Sequence, residues 1–211
     1  SAKRARHALR AVARPSEIPL SYAQRRLWFM QRLEGGRAGY TIPVALRLKG
    51  ELDRNALSAA LSDVVVRHES LRTIFPERDG VARQEILAAE AASARLWIRE
   101  IRESELAGAL SEAAEVEFEL ARELPVRAHL FVLSEREHVL LLVLHHIAAD
   151  GWSLSPLLRD LAKSYAARRE GRAPELPDLA VQYADYTLWQ QEVLGEENDA
   201  ESPIARQLAY W

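Results

Sequence analysis

The spacing of apolar and polar positions changes period several times along the chain, and each change predicts an element. Val139 to Leu144 is an unbroken apolar run, too short to cross a membrane and suited to a strand buried on both faces. Val126 to Leu133 precedes it, and the Ser-Glu-Arg-Glu tetrapeptide at 134–137 predicts that it pairs with His138 to Leu144 as a hairpin. Leu57, Ala60, Leu61, Val64 and Val65 recur at helical spacing behind Asp53, a side chain suited to capping a helix start. Ser21 followed three residues later by Gln24 predicts a capping box for a helix reaching about Arg32, with Gly35, Gly36 and Gly39 breaking it. Leu20, Leu27, Trp28 and Met30 form its apolar face, with Arg25 and Arg26 on the wet side.

The remaining segments read in the same way. Val44 to Lys49 alternates as a half-exposed strand, while Leu71 to Phe75 and Val81 to Leu87 flank a turn from Pro76 to Gly80. Arg95 to Ile101 predicts a strand and Glu103 to Phe118 a helix. Tyr183, Tyr186 and Trp189 share one helical face, and ARQLAYW reads as helix. The sum is an α/β chain without internal repeats, a mixed sheet covered by helices in a two-layer sandwich.

Composition narrows the classes. With 211 residues, 48% of them hydrophobic, the chain carries enough apolar material for one sizeable core. A net charge of −3 and the lack of a basic run interleaved with aromatics argue against nucleic acid. Having no cysteine, the chain forms no disulfides, which fits a reducing compartment, and no membrane partner is expected. The opening SAKRARHALRAVARP is basic but lacks an apolar centre. Residues 1–15 read as a solvated interdomain linker, 16–178 as a lobe, and 179–211 as a helical segment leading away from it.

Candidate chemistry is concentrated where the long apolar run stops. LLLVLHHIAADGWS delivers His145, His146, Asp150, Gly151 and Ser153 within one or two turns of chain. Adjacent strand side chains diverge, so His145 and His146 face one cavity only if the strand has already ended. One is expected to act and the other to support, because imidazole is the side chain best matched to proton transfer near neutral pH. Asp150 either orients that imidazole or pairs with an arginine and braces the loop. Gly151 permits a turn that a Cβ would resist. Ser155 and Pro156 are expected as N-cap and first helical residue ahead of Leu157, Leu158, Leu161 and Tyr165, and backbone N–H groups at that start could stabilise an oxyanion. A metal site is not expected from diverging histidines with no cysteine nearby.

LHHIAADGWS resembles the active-site motif of condensation domains in nonribosomal peptide synthetases. Three other segments resemble the family's motifs in order: SYAQRRLWFM at Ser21 to Met30, RHESLRTIF at Arg67 to Phe75, and YADYTLWQ at Tyr183 to Gln190. The resemblance implies a chloramphenicol-acetyltransferase-like lobe, the N-terminal half of a two-lobed acyltransferase working in the cytoplasm. It implies that His146 accepts or positions a proton of the acceptor amine, that His145 is structural, and that Gly151 helps polarise the thioester carbonyl. By the same resemblance Arg67, with Arg72 as runner-up, pairs with Asp150, whereas position alone makes Arg67 a cation at a helix C-terminus.

No cofactor would be bound by the chain itself. Donor and acceptor would arrive on the 4'-phosphopantetheine of peptidyl carrier proteins, with the C-terminal lobe and an adenylation domain as further partners. The tail AADGWSLSPLLRDL and the stretch RRLWFMQRLEG look like the subtype that takes a D-configured donor and an L-configured acceptor, which implies an upstream epimerization domain. Three rivals stand beside this reading. An epimerization domain shares the histidine motif, but SYAQRRLW argues against it. A free CoA-dependent acyltransferase uses a shorter motif. A docking platform that recruits enzymes in trans typically loses the motif, which is present here.

Overall fold

The computed structural model describes residues 8–33, 38–115, 117–195 and 197–210. In chain order the elements are β1 (Ile18–Pro19), α1 (Tyr22–Leu33), β2 (Thr41–Lys49), α2 (Arg54–Arg67), β3 (Thr73–Ile74), β4 (Glu77–Arg78), β5 (Val81–Ile86), β6 (Leu96–Glu100), α3 (Glu103–Ala114), β7 (Val126–Ser134), β8 (Glu137–His145), α4 (Gly151–Arg169), α5 (Tyr183–Leu194) and α6 (Pro203–Tyr210). The main sheet runs in the order β2-β8-β7-β6, antiparallel except for the parallel pair β6 and β7, which α3 connects. The mixed sheet covered by helices is as the sequence pattern predicts. β1, β3 and β4 all pair with β5 in a small second sheet.

β8 lies between β2 and β7, and this explains its composition. Its even-numbered side chains Leu140, Leu142 and Leu144 enter the core built with α2 and α4. Its odd-numbered Val139, Leu141 and Val143 enter a second core with Leu106, Ala109 and Ala113 of α3, Phe118 and Phe131. Helices therefore cover both faces, and the part of a strand that faces two cores is apolar at consecutive positions, here Val139 to Leu144. β2 is an edge strand, which is why it tolerates Pro43 and begins at Thr41, ahead of its clean alternation.

Local signals account for most boundaries. Ser21 N–H donates to Gln24 Oε1 at 3.0 Å and Gln24 N–H to Ser21 Oγ at 3.1 Å, the expected capping box. Asp53 Oδ1 accepts from Ala56 N–H at 2.9 Å and starts α2. The turn between β4 and β5 has positive φ at both central residues, 52° for Asp79 and 77° for Gly80, the geometry an Asp-Gly pair favours in a two-residue hairpin.

Three boundaries differ from expectation. The strand expected over Leu71 to Phe75 reduces to β3, because Glu69–Arg72 coils into a 3₁₀ turn whose Glu69 carbonyl accepts from Thr73 Oγ1 at 2.7 Å. α3 stops at Ala114, and Phe118 packs beyond it as a buried core residue. α4 begins at Gly151 with Asp150 as its cap, so Ser155 and Pro156 lie inside it, where proline forfeits only one bond of the first turns. Gly35 and Gly36, the expected breakers of α1, lie outside the described residues.

Candidate functional site

The ladder of β8 carries His145 to the rim of the sheet and stops there. His145 has the parity of Val143 and Leu141, so it points into the core of α3 and Phe118, and it is 3% exposed. The Phe118 ring meets it edge-on at a centroid distance of 5.8 Å, and Tyr40 lies at 6.5 Å. His145 Nδ1 accepts from the Ile147 N–H at 3.0 Å. His146 would face the opposite core had the strand continued. Instead the backbone turns, with Ala148 N–H donating to the His145 carbonyl at 3.0 Å, and the His146 side chain is exposed. The two imidazoles are thus divided between core and solvent because the strand ends between them, where alternation alone would have sent them to two cores.

Burial drives the His145 pKa from the ordinary 6.5 down to about 4, and the neighbouring His146 pushes the same way. Between those values the unfolded chain binds a proton that the folded chain refuses. The stability owed to neutral His145 is complete above pH 6.5 and is lost as pH falls toward about 4. Burial lowers His68, His129 and His138 as well, so acid weakens the fold at several points. Urea unfolding between pH 7 and pH 4.5 is expected to show wild-type stability falling more steeply than that of His145→Asn, with a difference in slope of up to ~1.4 kcal/mol per pH unit. Parallel slopes would exclude a buried neutral imidazole at this position.

Asp150 caps α4 reciprocally with Ser153. Its Oδ1 accepts from the Ser153 N–H at 2.9 Å and from Ser153 Oγ at 2.7 Å, and its own N–H donates to Ser153 Oγ at 3.2 Å. These bonds from Ser153, the Trp152 amide and the nearby His146 hold the Asp150 carboxyl below its usual range. Gly151 opens α4 with an ordinary negative φ, so the special turn expected of it is not what it supplies. A Cβ there would meet nothing within 4 Å, and the space in front of the helix start is open.

The arginine partner implied for Asp150 is corrected by the geometry. Arg67 Nε pairs with Asp160 Oδ2 at 2.9 Å, and His68 Nε2 lies 2.9 Å from the same oxygen. The reason is placement: Arg67 ends α2, which packs along α4, and Asp160 falls on the buried stripe of α4 beside Leu157, Leu161 and Ser164. Arg72 does not reach Asp150 either. It donates to the carbonyls of Leu87 and, at 3.1 Å, Val66, and touches Glu69 at 3.4 Å. Burial depresses His68 more than Asp160 raises it, and Arg67 adds to the depression.

The four motif segments nevertheless meet. Ser21 Oγ lies 3.0 Å from Tyr183 Oη. Gln24 Nε2 approaches Gln84 Oε1 at 3.4 Å and the Ile147 carbonyl at 3.5 Å, and Gln84 Nε2 bonds Thr187 Oγ1 at 3.2 Å. Gln182 accepts from the Glu69 N–H at 3.2 Å and donates to the Arg67 carbonyl at 2.9 Å. Arg14 bonds Glu69 at 2.6 Å and Asp185 at 3.0 Å, so its charge is tied into the fold and does more than keep the N-terminal stretch solvated. Sequence reasoning missed Gln24, Gln84, Asp160 and Asp185 as supports. Two left a signal, since Gln24 shares a helical face with Leu27 and Trp28, and Asp160 lies between Leu157 and Leu161; a polar group on an apolar stripe must find a partner.

Among the described residues, no group of three or more His, Cys, Asp or Glu side chains could hold a metal ion, and no helix is long and apolar enough to cross a membrane. The chain is 59% identical over 204 residues to a dimodular nonribosomal peptide synthase of Bacillus subtilis, covering 97% of this chain and 9% of that one. The chain spans less than a tenth of the length of this and other curated relatives. Among solved structures it is similar to the X-domain of teicoplanin biosynthesis in its complex with OxyB, at 46% identity and a TM-score of 0.89, covering 98% of this chain and 45% of that one. It is also similar to the first condensation domain of the calcium-dependent antibiotic synthetase in complex with a substrate analogue, at 26% identity and a TM-score of 0.74, covering 92% and 47%. The condensation-domain model matches residues 15–211, the span over which the four segments interlock, and the chain belongs to the condensation domain family of nonribosomal peptide synthetases.

Proposed function

We propose that the chain forms the N-terminal lobe of a unit that joins a donor aminoacyl or peptidyl thioester to an acceptor amine, both carried on peptidyl carrier proteins. The observation that carries this reading is the division of the histidine pair. His146 stands exposed at the end of a strand buried on both faces, beside the carboxylate that caps α4, and is open to a substrate while its support is rigid. In this reading His146 accepts or positions the amine proton. The Gly151 amide, at the partly positive start of α4 where no side chain intrudes, polarises the thioester carbonyl. Asp150 holds the start of α4, while Arg67 and Arg72 brace the second segment behind it. The 4'-phosphopantetheine arms belong to the carrier proteins. A second lobe completes the unit, which is in keeping with the 45–47% of the solved chains that this lobe matches. The adenylation domain and an upstream epimerization domain follow from the same reading, as does a cytoplasmic location.

The test is amide formation, read by mass spectrometry, from carrier proteins loaded with D- or L-configured donors. The chain alone and the chain extended through a second lobe are compared. Product from the extended protein only, with the D donor preferred, is the expected result. No product from the extended protein with any competent pair would overturn the reading. The similarity to an X-domain solved in complex with OxyB favours a second reading, a recruitment platform, and that reading expects no amide product and no effect of His146 on partner binding.

A further inference from the structure

His146 is exposed, so the direction of its imidazole depends on how firmly the backbone beneath it is held. On its N-terminal side the His146 N–H donates to the Tyr40 carbonyl at 2.8 Å, the last rung between β2 and β8. On its C-terminal side no ladder remains. Ile147 is buried among Leu20, Phe118, Val143 and Leu141, and its N–H finds its partner in a side chain, His145 Nδ1 at 3.0 Å. We propose that His145 is a positioning residue, whose unprotonated Nδ1 pins the Ile147 amide and thereby fixes the direction in which His146 is presented.

Three features make an imidazole suited to the task. Nδ1 is two bonds from Cβ, the right reach for an N–H two residues along the chain, as in the turns that Asn and Asp form with their own backbone. The ring is wide enough to be gripped by the edge of Phe118 and by Tyr40, so the acceptor cannot rotate away. An accepting Nδ1 assigns the ring proton to Nε2. The Ile147 carbonyl receives a second, longer hold from Gln24 Nε2 at 3.5 Å, so the residue after His146 is gripped through both of its peptide groups by side chains of two different motif segments.

This inference rests on the proposed role of His146, and the experiment separates the two. In the protein extended through its second lobe, His145→Leu keeps an apolar filling but removes the acceptor. His145→Asn places an oxygen close to where Nδ1 stood. The leucine variant is expected to lower kcat by about 10–100-fold with the acceptor KM within about twofold, since small misplacement of a catalytic group costs up to ~10²-fold. The asparagine variant is expected to recover to within about tenfold of wild type. Hydrogen–deuterium exchange at the Ile147 amide should be fast in the leucine variant and slowed again in the asparagine variant. Wild-type kcat in His145→Leu, or equal losses in both variants with the Ile147 amide as protected as in wild type, would overturn the proposal. The exchange pattern is read without turnover. Protection lost with leucine and regained with asparagine supports the hold on Ile147 even in a protein that makes no amide, a result that would overturn the functional reading alone.

Discussion

Replacing His146 with alanine is expected to cut amide formation by about 10²–10⁴-fold while leaving the melting temperature within about 1 °C of wild type. The size of the effect follows from the proposed role of His146 as proton acceptor at the reacting amine, and the thermal silence follows from exposure, since the side chain gives up little burial on truncation. Measured together, rate and melting curve separate chemistry from folding. Undiminished product from the alanine variant would remove His146 from the mechanism. A large drop in melting temperature would instead mean that the imidazole packs, against what its exposure shows.

The second large effect is expected at Asp160, a position with no part in the chemistry. Its carboxylate is 8% exposed, faces Arg67 at 14%, and shares an oxygen with His68. Asp160→Ala leaves the mostly buried guanidinium without this counter-charge, and a loss of about 3 kcal/mol is expected, as for other broken buried pairs. For a domain of this size that corresponds to a fall of roughly 6–12 °C in melting temperature. Replacing the pair together, Arg67→Met with Asp160→Leu, should recover most of the loss, because an apolar pair carries no desolvation cost. A loss below about 1 kcal/mol for Asp160→Ala would mean that the pair behaves as a surface ion pair.

Asp160 also marks where reading the sequence stopped short. The strand β8, the hairpin to β7, the capping box at Ser21, the cap at Asp53 and the divergence of the two histidines are all written in local pattern, because each depends on neighbours within a few residues. Which arginine meets which carboxylate is not local. Arg67 and Asp160 come together because α2 and α4 pack lengthwise, and no spacing along the chain announces that register. The start of α4 was obscured for another reason: two capping signals, Asp150 and Ser155-Pro156, lie five residues apart, and the reciprocal bond from Ser153 decides for the first. Among the site residues, the divergence of His145 and His146 was legible from alternation, while the exposure of His146 and the hold on Ile147 became visible only with the turn in place.

The bonds from α5 back to the rest of the lobe bear on how such domains can be recombined. The stretch from Glu170 to Gln182 has little regular structure and invites a crossover point between two parent sequences. A chimera joined there would inherit Tyr183 and Asp185 from one parent and Ser21, Arg14 and Glu69 from the other, with Gln182 reaching across the joint to Arg67 and Glu69. Parents that differ at any of these positions would yield a hybrid with its fourth motif cut loose from its first and second, so an exchange boundary is better drawn beyond Leu194, where α5 travels with the partners it was selected against.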